Sequence, residues 1–141
     1  MNDLHGRIAA SFNAQGLMTT LGARLAHVQH GEVRIELPFD ARLSQQHGYV
    51  HAGAITSVVD SACGYAALTR GPAGCDVVTA EFKTNFLRPA IGERFVAVGR
   101  VVNAGRQLAV VTGEVLAHTA DGAEPKVVAL MQATMVYVRP R

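Results

Sequence analysis

The sequence predicts an α+β fold in which an antiparallel sheet wraps around one long central helix. Two observations predict it: a long apolar segment with helical periodicity follows a glycine-bearing loop, and segments with strand patterning lie on both sides of it, two before and four after. The chain has 141 residues, enough for one domain with a core of its own. We therefore expect a single domain over residues 1–141.

The first elements are a short helix and a hairpin. Apolar side chains that recur on one side predict an amphipathic helix over about residues 4–16. Residues 23–29 and 32–37 flank a turn at His30-Gly31, and the strict alternation of polar and apolar residues in the second segment is typical of a half-buried strand. The two segments together indicate a β-hairpin.

The central helix is predicted from a long apolar segment that ends at Gly71 and Pro72. Its buried face is formed by residues at the i, i+3, i+4 and i+7 spacing, namely Ala54, Ile55, Val58, Val59, Ala62, Cys63, Ala66 and Ala67. Asp60 is the one acidic residue of this segment. Because burying an unpaired carboxylate is costly, Asp60 lies either on a solvated side of the helix or in a site where its charge is used.

Four strands are predicted after the helix. They cover residues 77–87, 95–102, 108–118 and 127–138. Segments rich in Gly, Pro, Asn and Asp separate them and indicate turns. Two strands, one buried helix and four more strands complete the layout of a sheet around a single helix.

Composition excludes several classes of protein. The 13 basic and 11 acidic residues give a net charge of +2 and form no basic run, so we expect neither a nucleic-acid partner nor a membrane-surface partner. Cys63 and Cys75 match no zinc pattern and are too few for a disulfide scaffold. The cysteine pattern therefore gives no reason to expect a metal. Neither an export signal nor a stretch of about 18 apolar residues occurs, so we expect a cytoplasmic protein.

The loop before the central helix carries the strongest motif. Residues 45–53 read Gln-Gln-His-Gly-Tyr-Val-His-Ala-Gly, and Asp60 follows on the helix. This segment resembles the active-site segment of the PaaI-type acyl-CoA thioesterases of the hotdog-fold superfamily. In that family a loop of the form Asn-x-x-Gly-x-x-His-Gly-Gly leads into the central helix, and an Asp or Glu follows. Gly48, His51 and Gly53 match the loop, and Asp60 matches the acid.

The resemblance covers nearly the whole chain after the first twenty residues. A second segment, residues 78–90, resembles the strand that follows the helix in this family. Two positions depart from the pattern: Ala52 replaces the first glycine of the pair, and Gln45 stands where many members have Asn. Ala still offers a backbone N–H, and Gln still offers an amide donor on a longer arm. The resemblance implies a hotdog fold and hydrolysis of an acyl-CoA thioester to the free acid and CoA.

Hydrolysis of a thioester requires donors for the oxyanion and either a base for water or a nucleophile. The first-turn amides of the helix, at Ala52 and Gly53, have no intrahelical partner and are candidate oxyanion donors, with the Gln45 side chain as a third. The resemblance implies Asp60 as general base or nucleophile. It also implies Thr79, on a strand placed across a subunit interface, as a hydroxyl that helps to hold the water.

Further residues are candidates for contact with the substrate. They are Gly48, Tyr49, His51, Asn85, Arg88 and Arg106. The two arginines are candidate partners of the CoA phosphates, and His51 either contacts the substrate or fixes the loop through a side-chain hydrogen bond. The resemblance implies that acyl-CoA is the substrate, that no cofactor is used, and that the chain forms a homodimer, with dimers pairing into a tetramer.

Two alternatives to a thioesterase are open. One is a non-catalytic hotdog protein that binds acyl-CoA as a sensor, although such a protein gains nothing from an acid at position 60. The other is a hotdog hydratase or dehydratase. Those enzymes use a different, proline-bearing loop that residues 48–51 do not resemble.

Overall fold

The computed structural model describes residues 3–140 and has the predicted α+β architecture. Three helices are present: α1 (Leu4–Ala14), α2 (Gly16–Leu21) and α3 (Ala52–Leu68). The strands are β1 (Arg24–Gln29), β2 (Glu32–Pro38), β3 (Asp76–Phe86), β4 (Arg94–Ala104), β5 (Leu108–His118) and β6 (Lys126–Val138), and a short 3₁₀ turn covers Ala41–Leu43. The ends of the predicted domain, residues 1, 2 and 141, lie outside the described residues.

The six strands form one antiparallel sheet in the order β1-β2-β4-β5-β6-β3. Helix α3 packs against one face of the sheet and contacts β2, β3, β4, β5 and β6. The core lies between them, because alternate residues of β2 and β5, a continuous run in β4 and several residues of β6 are buried against the apolar side of the helix. This arrangement is the hotdog fold, and the predicted fold class is confirmed.

Two glycines let the helix lie unusually close to the sheet. A Cβ atom at Gly99 would lie 2.4 Å from the carbonyl oxygen of Ala62, and one at Gly113 would lie 2.6 Å from a methyl group of Val59. Side chains at these strand positions would therefore push α3 away from the sheet. The close seating fixes the helix segment that carries Asp60.

The N-terminal segment differs from the single helix predicted over residues 4–16. Helix α1 ends at Ala14, Gln15 has an extended backbone with φ −82° and ψ 105°, and a second helix begins at Gly16. Helix α1 buries Ile8 and Phe12 against the core. The break at Gln15 places its side chain beside α3.

Strand β3 forms one edge of the sheet and is poorly covered. Among residues 3–140 it pairs only with β6, and most of its residues are exposed over its full length. The exposed fractions are 51% for Val78, 44% for Phe82, 49% for Phe86 and 49% for Leu87 just beyond the strand. A long apolar edge strand of this kind offers both unpaired backbone groups and apolar side chains to another chain.

No helix within residues 3–140 combines the length and the apolar character that crossing a membrane requires.

Candidate active site

The loop before α3 is built on two residues, Gln45 and Gly48. The carbonyl oxygen of Gln45 accepts a hydrogen bond from the N–H of Gly48 at 3.0 Å, and the N–H of Gln45 donates to the carbonyl oxygen of Tyr49 at 2.8 Å. Gly48 has a φ of +86°, a conformation that side chains disfavour. A glycine at position 48 of the loop motif therefore has a conformational reason, because Gly48 shapes the turn.

The side chain of Gln45 is held by the same loop. Its Oε1 accepts hydrogen bonds from the N–H groups of His47 at 2.6 Å and Tyr49 at 3.2 Å. Both bonds use the oxygen of the amide, so Nε2 is left to donate elsewhere. Gln45 also lines the cleft at the start of α3. Its predicted role as a side-chain donor is compatible with this orientation.

His51 caps the N-terminus of α3. Its Nδ1 accepts a hydrogen bond from the N–H of Gly53 at 2.7 Å, and its own N–H donates to the carbonyl oxygen of Leu43 at 2.8 Å. Nδ1 acts as the acceptor in this arrangement, so its lone pair is already used and Nε2 is the ring nitrogen left for another partner. The structure thus has the loop-fixing hydrogen bond that was one of the two predicted roles of His51.

This cap makes the two amides that were predicted to bind the oxyanion unequal, because it uses one of them. The N–H of Gly53 is already used by His51. The N–H of Ala52 has no hydrogen-bond partner among residues 3–140 and lies at the exposed first position of the helix. Ala52 is therefore the amide available to a ligand in this conformation.

Replacing the cap tests its contribution to stability. We expect His51→Ala to lower the free energy of unfolding by about 1 kcal/mol, because the N–H of Gly53 then loses its partner. His51→Asn should lose much less, since Asn is a good N-cap residue. Denaturant titrations of the three proteins measure both values. Equal stability of the Ala and Asn variants would show that the hydrogen bond to Gly53 contributes nothing.

A cleft of about 330 Å³ lies beside this helix start, and we call it the loop cleft. Its walls include Gln45, Tyr49, His51 and Ala52 from the loop side, with Phe86 and Arg88 from the end of β3. The guanidinium of Arg88 donates from Nη1 to the carbonyl oxygen of Val127 at 2.6 Å. Four predicted loop residues and one predicted arginine are therefore gathered at one place.

Asp60 lies in the middle of α3 and is half-buried. Its Oδ1 accepts a hydrogen bond from the hydroxyl of Thr79 on β3 at 2.8 Å. Burial raises the pKa of Asp60 above its ordinary value, and the hydrogen bond from Thr79 opposes that shift. The structure thus joins the predicted acid and the predicted hydroxyl within one chain.

The neighbouring thiol does not compete with Asp60 as a nucleophile. Cys63 lies one turn further along α3 and is fully buried. Burial and the nearby charge of Asp60 raise the pKa of Cys63 to about 12. The thiol is therefore protonated at neutral pH and is a poor nucleophile, and Asp60 stays the candidate reactive group of this part of the helix.

A second cleft, of about 170 Å³, opens beside Asp60, and we call it the Asp60 cleft. Thr79 lines it from β3, and Ser61 and Tyr65 line it from α3. Two further lining residues, Ser11 and Gln15, come from the N-terminal segment and were not predicted as site residues. The only sequence signal for them is the break before Gly16, which resembles an ordinary helix end.

The two clefts are separate within one chain. They share no lining residue, and Asp60 follows Ala52 by eight residues, which is about 12 Å along a helix axis. The seven-residue spacing from Gly53 puts Asp60 on the same side of the helix as its start but two turns away. One chain therefore does not bring the predicted oxyanion donors and the predicted acid around one carbonyl group.

Three predicted substrate-contacting residues line neither cleft: Gly48, which shapes the turn of the loop, Asn85 and Arg106. Asn85 is exposed next to Phe86 on β3, and because side chains alternate along a strand, it points to the face opposite the loop cleft. Arg106 lies in the turn between β4 and β5. That turn is at the end of the sheet where β3 begins, whereas Arg88 follows the end of β3.

Comparison with known proteins identifies the family and the fold of the chain. A family model described as the thioesterase superfamily matches residues 47–124, which is more than half of the chain. The match begins in the loop and includes α3 with Asp60 and β3 with Thr79.

Solved structures share the whole fold. A thioesterase family protein from Silicibacter pomeroyi is 43% identical over 97% of this chain and 99% of that protein, with a TM-score of 0.93. A conserved protein from Pseudomonas aeruginosa is 28% identical over 92% of this chain and 99% of its own, with a TM-score of 0.81. The PaaI protein of the Escherichia coli phenylacetic acid degradation operon is 21% identical over 96% and 93% of the two chains, with a TM-score of 0.83, which supports the fold alone.

Proposed function

The chain belongs to the thioesterase superfamily, whose general chemistry is thioester hydrolysis, and we propose that this protein hydrolyses an acyl-CoA thioester to the free acid and CoA. The observation that carries the proposal is the half-buried carboxylate of Asp60, which accepts a hydrogen bond from Thr79 at the wall of an open cleft. A carboxylate so placed is accessible to substrate, and the burial that raises its pKa makes it a stronger base than an ordinary Asp carboxylate.

Asp60 serves the proposed reaction in one of two ways. As a general base, it takes a proton from a water molecule whose oxygen attacks the carbonyl carbon; the C–S bond then breaks and CoA leaves as a thiolate that is protonated. As a nucleophile, its own oxygen attacks the carbonyl carbon, CoA leaves, and water hydrolyses the resulting mixed anhydride. Thr79 orients the carboxylate in either case.

The carbonyl oxygen gains negative charge in both routes and needs a donor. The free N–H of Ala52 at the start of α3 fits that role, because the helix dipole adds positive potential at the same point. One such donor is worth about 2.7–4 kcal/mol in the transition state. The amide Nε2 of Gln45 is the proposed second donor. The reaction uses water and these groups, without a metal or a redox cofactor.

A second copy of the chain supplies the missing half of each site in this proposal. The loop cleft lies at the end of β3, beside Phe86, and the Asp60 cleft lies at its start, beside Thr79. When an edge strand pairs antiparallel with its own copy about a two-fold axis, the start of one strand lies opposite the end of the other. The loop cleft of one subunit then faces the Asp60 cleft of its partner.

The exposed apolar side chains of β3 support that interface. Phe82 and Phe86 project on the side of the sheet that carries α3, where a second subunit would cover them. We propose a homodimer formed through β3, with dimers pairing into a tetramer. In this assembly Arg88, at the edge of the loop cleft, binds a CoA phosphate, and Asn85 and Arg106 are further proposed contacts of the substrate.

A thiol-release assay tests the proposed function. The purified protein is incubated with acyl-CoAs of different chain length and branching, and free CoA is measured with a thiol reagent. Release that follows enzyme concentration supports the proposal. Tight acyl-CoA binding in calorimetry without thiol release from any of the panel would instead support a binding protein.

The pH profile offers a second prediction. Only the ionised carboxylate is a base or nucleophile, so the rate should fall as pH falls through the pKa of Asp60, which burial raises above the ordinary Asp value. Thr79→Val removes the hydrogen bond that lowers this pKa. The acid limb of kcat/KM should then move to higher pH in the variant. An unmoved acid limb would show that Asp60 is not the group that titrates.

A further inference from the structure

We propose that Gln15 is a specificity-determining residue that selects a short acyl tail with a hydroxyl group at its far end. This inference rests on the proposed thioester hydrolysis and concerns the Asp60 cleft. Gln15 occupies the extended break between α1 and α2. From there its side chain reaches Ser61 and Tyr65 on α3, which follow Gln15 in the chain by 46 and 50 residues.

The amide of Gln15 is held in one orientation by α3. Its Oε1 accepts a hydrogen bond from the hydroxyl of Ser61 at 3.1 Å, and its Nε2 donates to the hydroxyl of Tyr65 at 3.1 Å. The Tyr65 hydroxyl is held in turn by Ser11 at 3.1 Å. An amide oxygen has two lone pairs and an amide nitrogen has two hydrogens, so Gln15 keeps one acceptor and one donor for a ligand. A hydroxyl group, which donates and accepts at once, satisfies both.

The size of the Asp60 cleft limits the tail. Its volume is about 170 Å³, and a cavity of about 150 Å³ holds benzene. A tail of roughly six non-hydrogen atoms beyond the carbonyl carbon therefore fits. Ser11, Gln15, Ser61 and Tyr65 present polar atoms around this space. A purely apolar tail would take water away from these atoms without replacing its hydrogen bonds, and that is unfavourable.

The position of the cleft favours the acyl tail over the CoA arm as its occupant. The cleft runs from Asp60 along α3 past Ser61 and Gly64 to Leu68, away from the start of the helix. A carbonyl group held at Asp60 between that carboxylate and an oxyanion donor directs one substituent along this path. The sulfur and its long arm leave on the other side, toward the loop cleft and Arg88 of the partner subunit.

A matched pair of substrates tests the proposal. 6-Hydroxyhexanoyl-CoA and heptanoyl-CoA have acyl tails with the same number of non-hydrogen atoms and differ only in the terminal group. We expect kcat/KM to favour the hydroxyl-bearing substrate by at least about tenfold in the unaltered protein. In Gln15→Met, which keeps the length of the side chain but removes its amide, the preference should fall to about one or reverse.

Control variants separate this role from a structural one. Asn13→Met makes the same kind of change on the exposed side of α1 and should retain the preference. Ser61→Ala and Tyr65→Phe each remove one hydrogen bond that orients Gln15 and should weaken the preference. These two variants also carry the test if Gln15→Met does not fold, as judged by thermal melting.

Two results would overturn the inference. Equal kcat/KM for the two substrates in the unaltered protein would show that the cleft does not recognise a hydroxyl group. A folded Gln15→Met protein with an unchanged preference would show that another residue is responsible. Absence of thiol release from every acyl-CoA would instead reject the proposed function, so the two failures are distinguishable.

Discussion

Asp60→Asn is expected to keep the fold and to lower kcat/KM by about two to four orders of magnitude, the usual worth of a positioned acid or base. Asn has nearly the shape of Asp and still accepts the hydrogen bond from Thr79. It neither removes a proton from water nor attacks a carbonyl carbon. Thiol release under initial-rate conditions measures the loss.

Stability gives an independent reading of the same variant. Because burial raises the pKa of Asp60 in the folded state, the folded protein holds this proton more tightly than the unfolded chain. The free energy of unfolding therefore falls as pH rises from the ordinary Asp pKa through the raised one, and the loss persists above it. Asp60→Asn lacks this loss, so it should be more stable than the unaltered protein at neutral pH, with the gain disappearing in acid.

Asp121→Asn is a matched control. Asp121 is an exposed acid in the turn between β5 and β6, and hydrogen bonds from the Thr119 hydroxyl and the N–H of Ala123 hold its pKa below the ordinary Asp value. The control should retain full thiol release and gain no stability at neutral pH. An Asp60→Asn protein as active as the unaltered one would remove Asp60 from the proposed mechanism, whatever its stability.

The strands and the central helix could be predicted from the sequence because each has a strong local signal. The alternation in β2 and the apolar periodicity of α3 each specify one face that must be buried. The break at Gln15 has no such signal. Gly16 follows an amphipathic segment as a C-terminal glycine does, yet in the structure it begins α2. In the structure the side chain of Gln15 at this break is hydrogen-bonded to Ser61, which lies 46 residues later and therefore leaves no local sequence signal.

In the candidate site, too, some features could be predicted from the sequence and others depend on three-dimensional packing. The spacing of loop, helix start and Asp60 is a sequence property, and the helical rise already separates Ala52 from Asp60 by about 12 Å. Which amide remains free depends on the rotamer of His51, whose Nδ1 takes the N–H of Gly53. A rotamer is set by packing and hydrogen bonding in three dimensions, so the motif alone does not distinguish the amide of Ala52 from that of Gly53.

Ala52→Pro should lower kcat by about 10²- to 10³-fold, the usual effect of deleting one oxyanion donor. Proline at this position removes only the N–H of residue 52, which no other described residue uses. It is well tolerated at the first position of a helix, and the extended backbone of His51, with φ −61° and ψ 139°, suits the residue before a proline. A stable fold with a large loss of rate is the expected result.

Mixing this variant with Asp60→Asn tests whether two subunits build one site. If each site combines Ala52 of one subunit with Asp60 of the other, a heterodimer of the two variants has one site with both groups intact. Random reassortment makes half of the dimers heterodimers, so unfolding and refolding an equal mixture should restore about a quarter of the unaltered activity. Either variant refolded alone should keep only its own low residual activity. If both groups of a site came from the same chain, every chain in the mixture would carry one defect, and the activity would not rise above that of the separate variants.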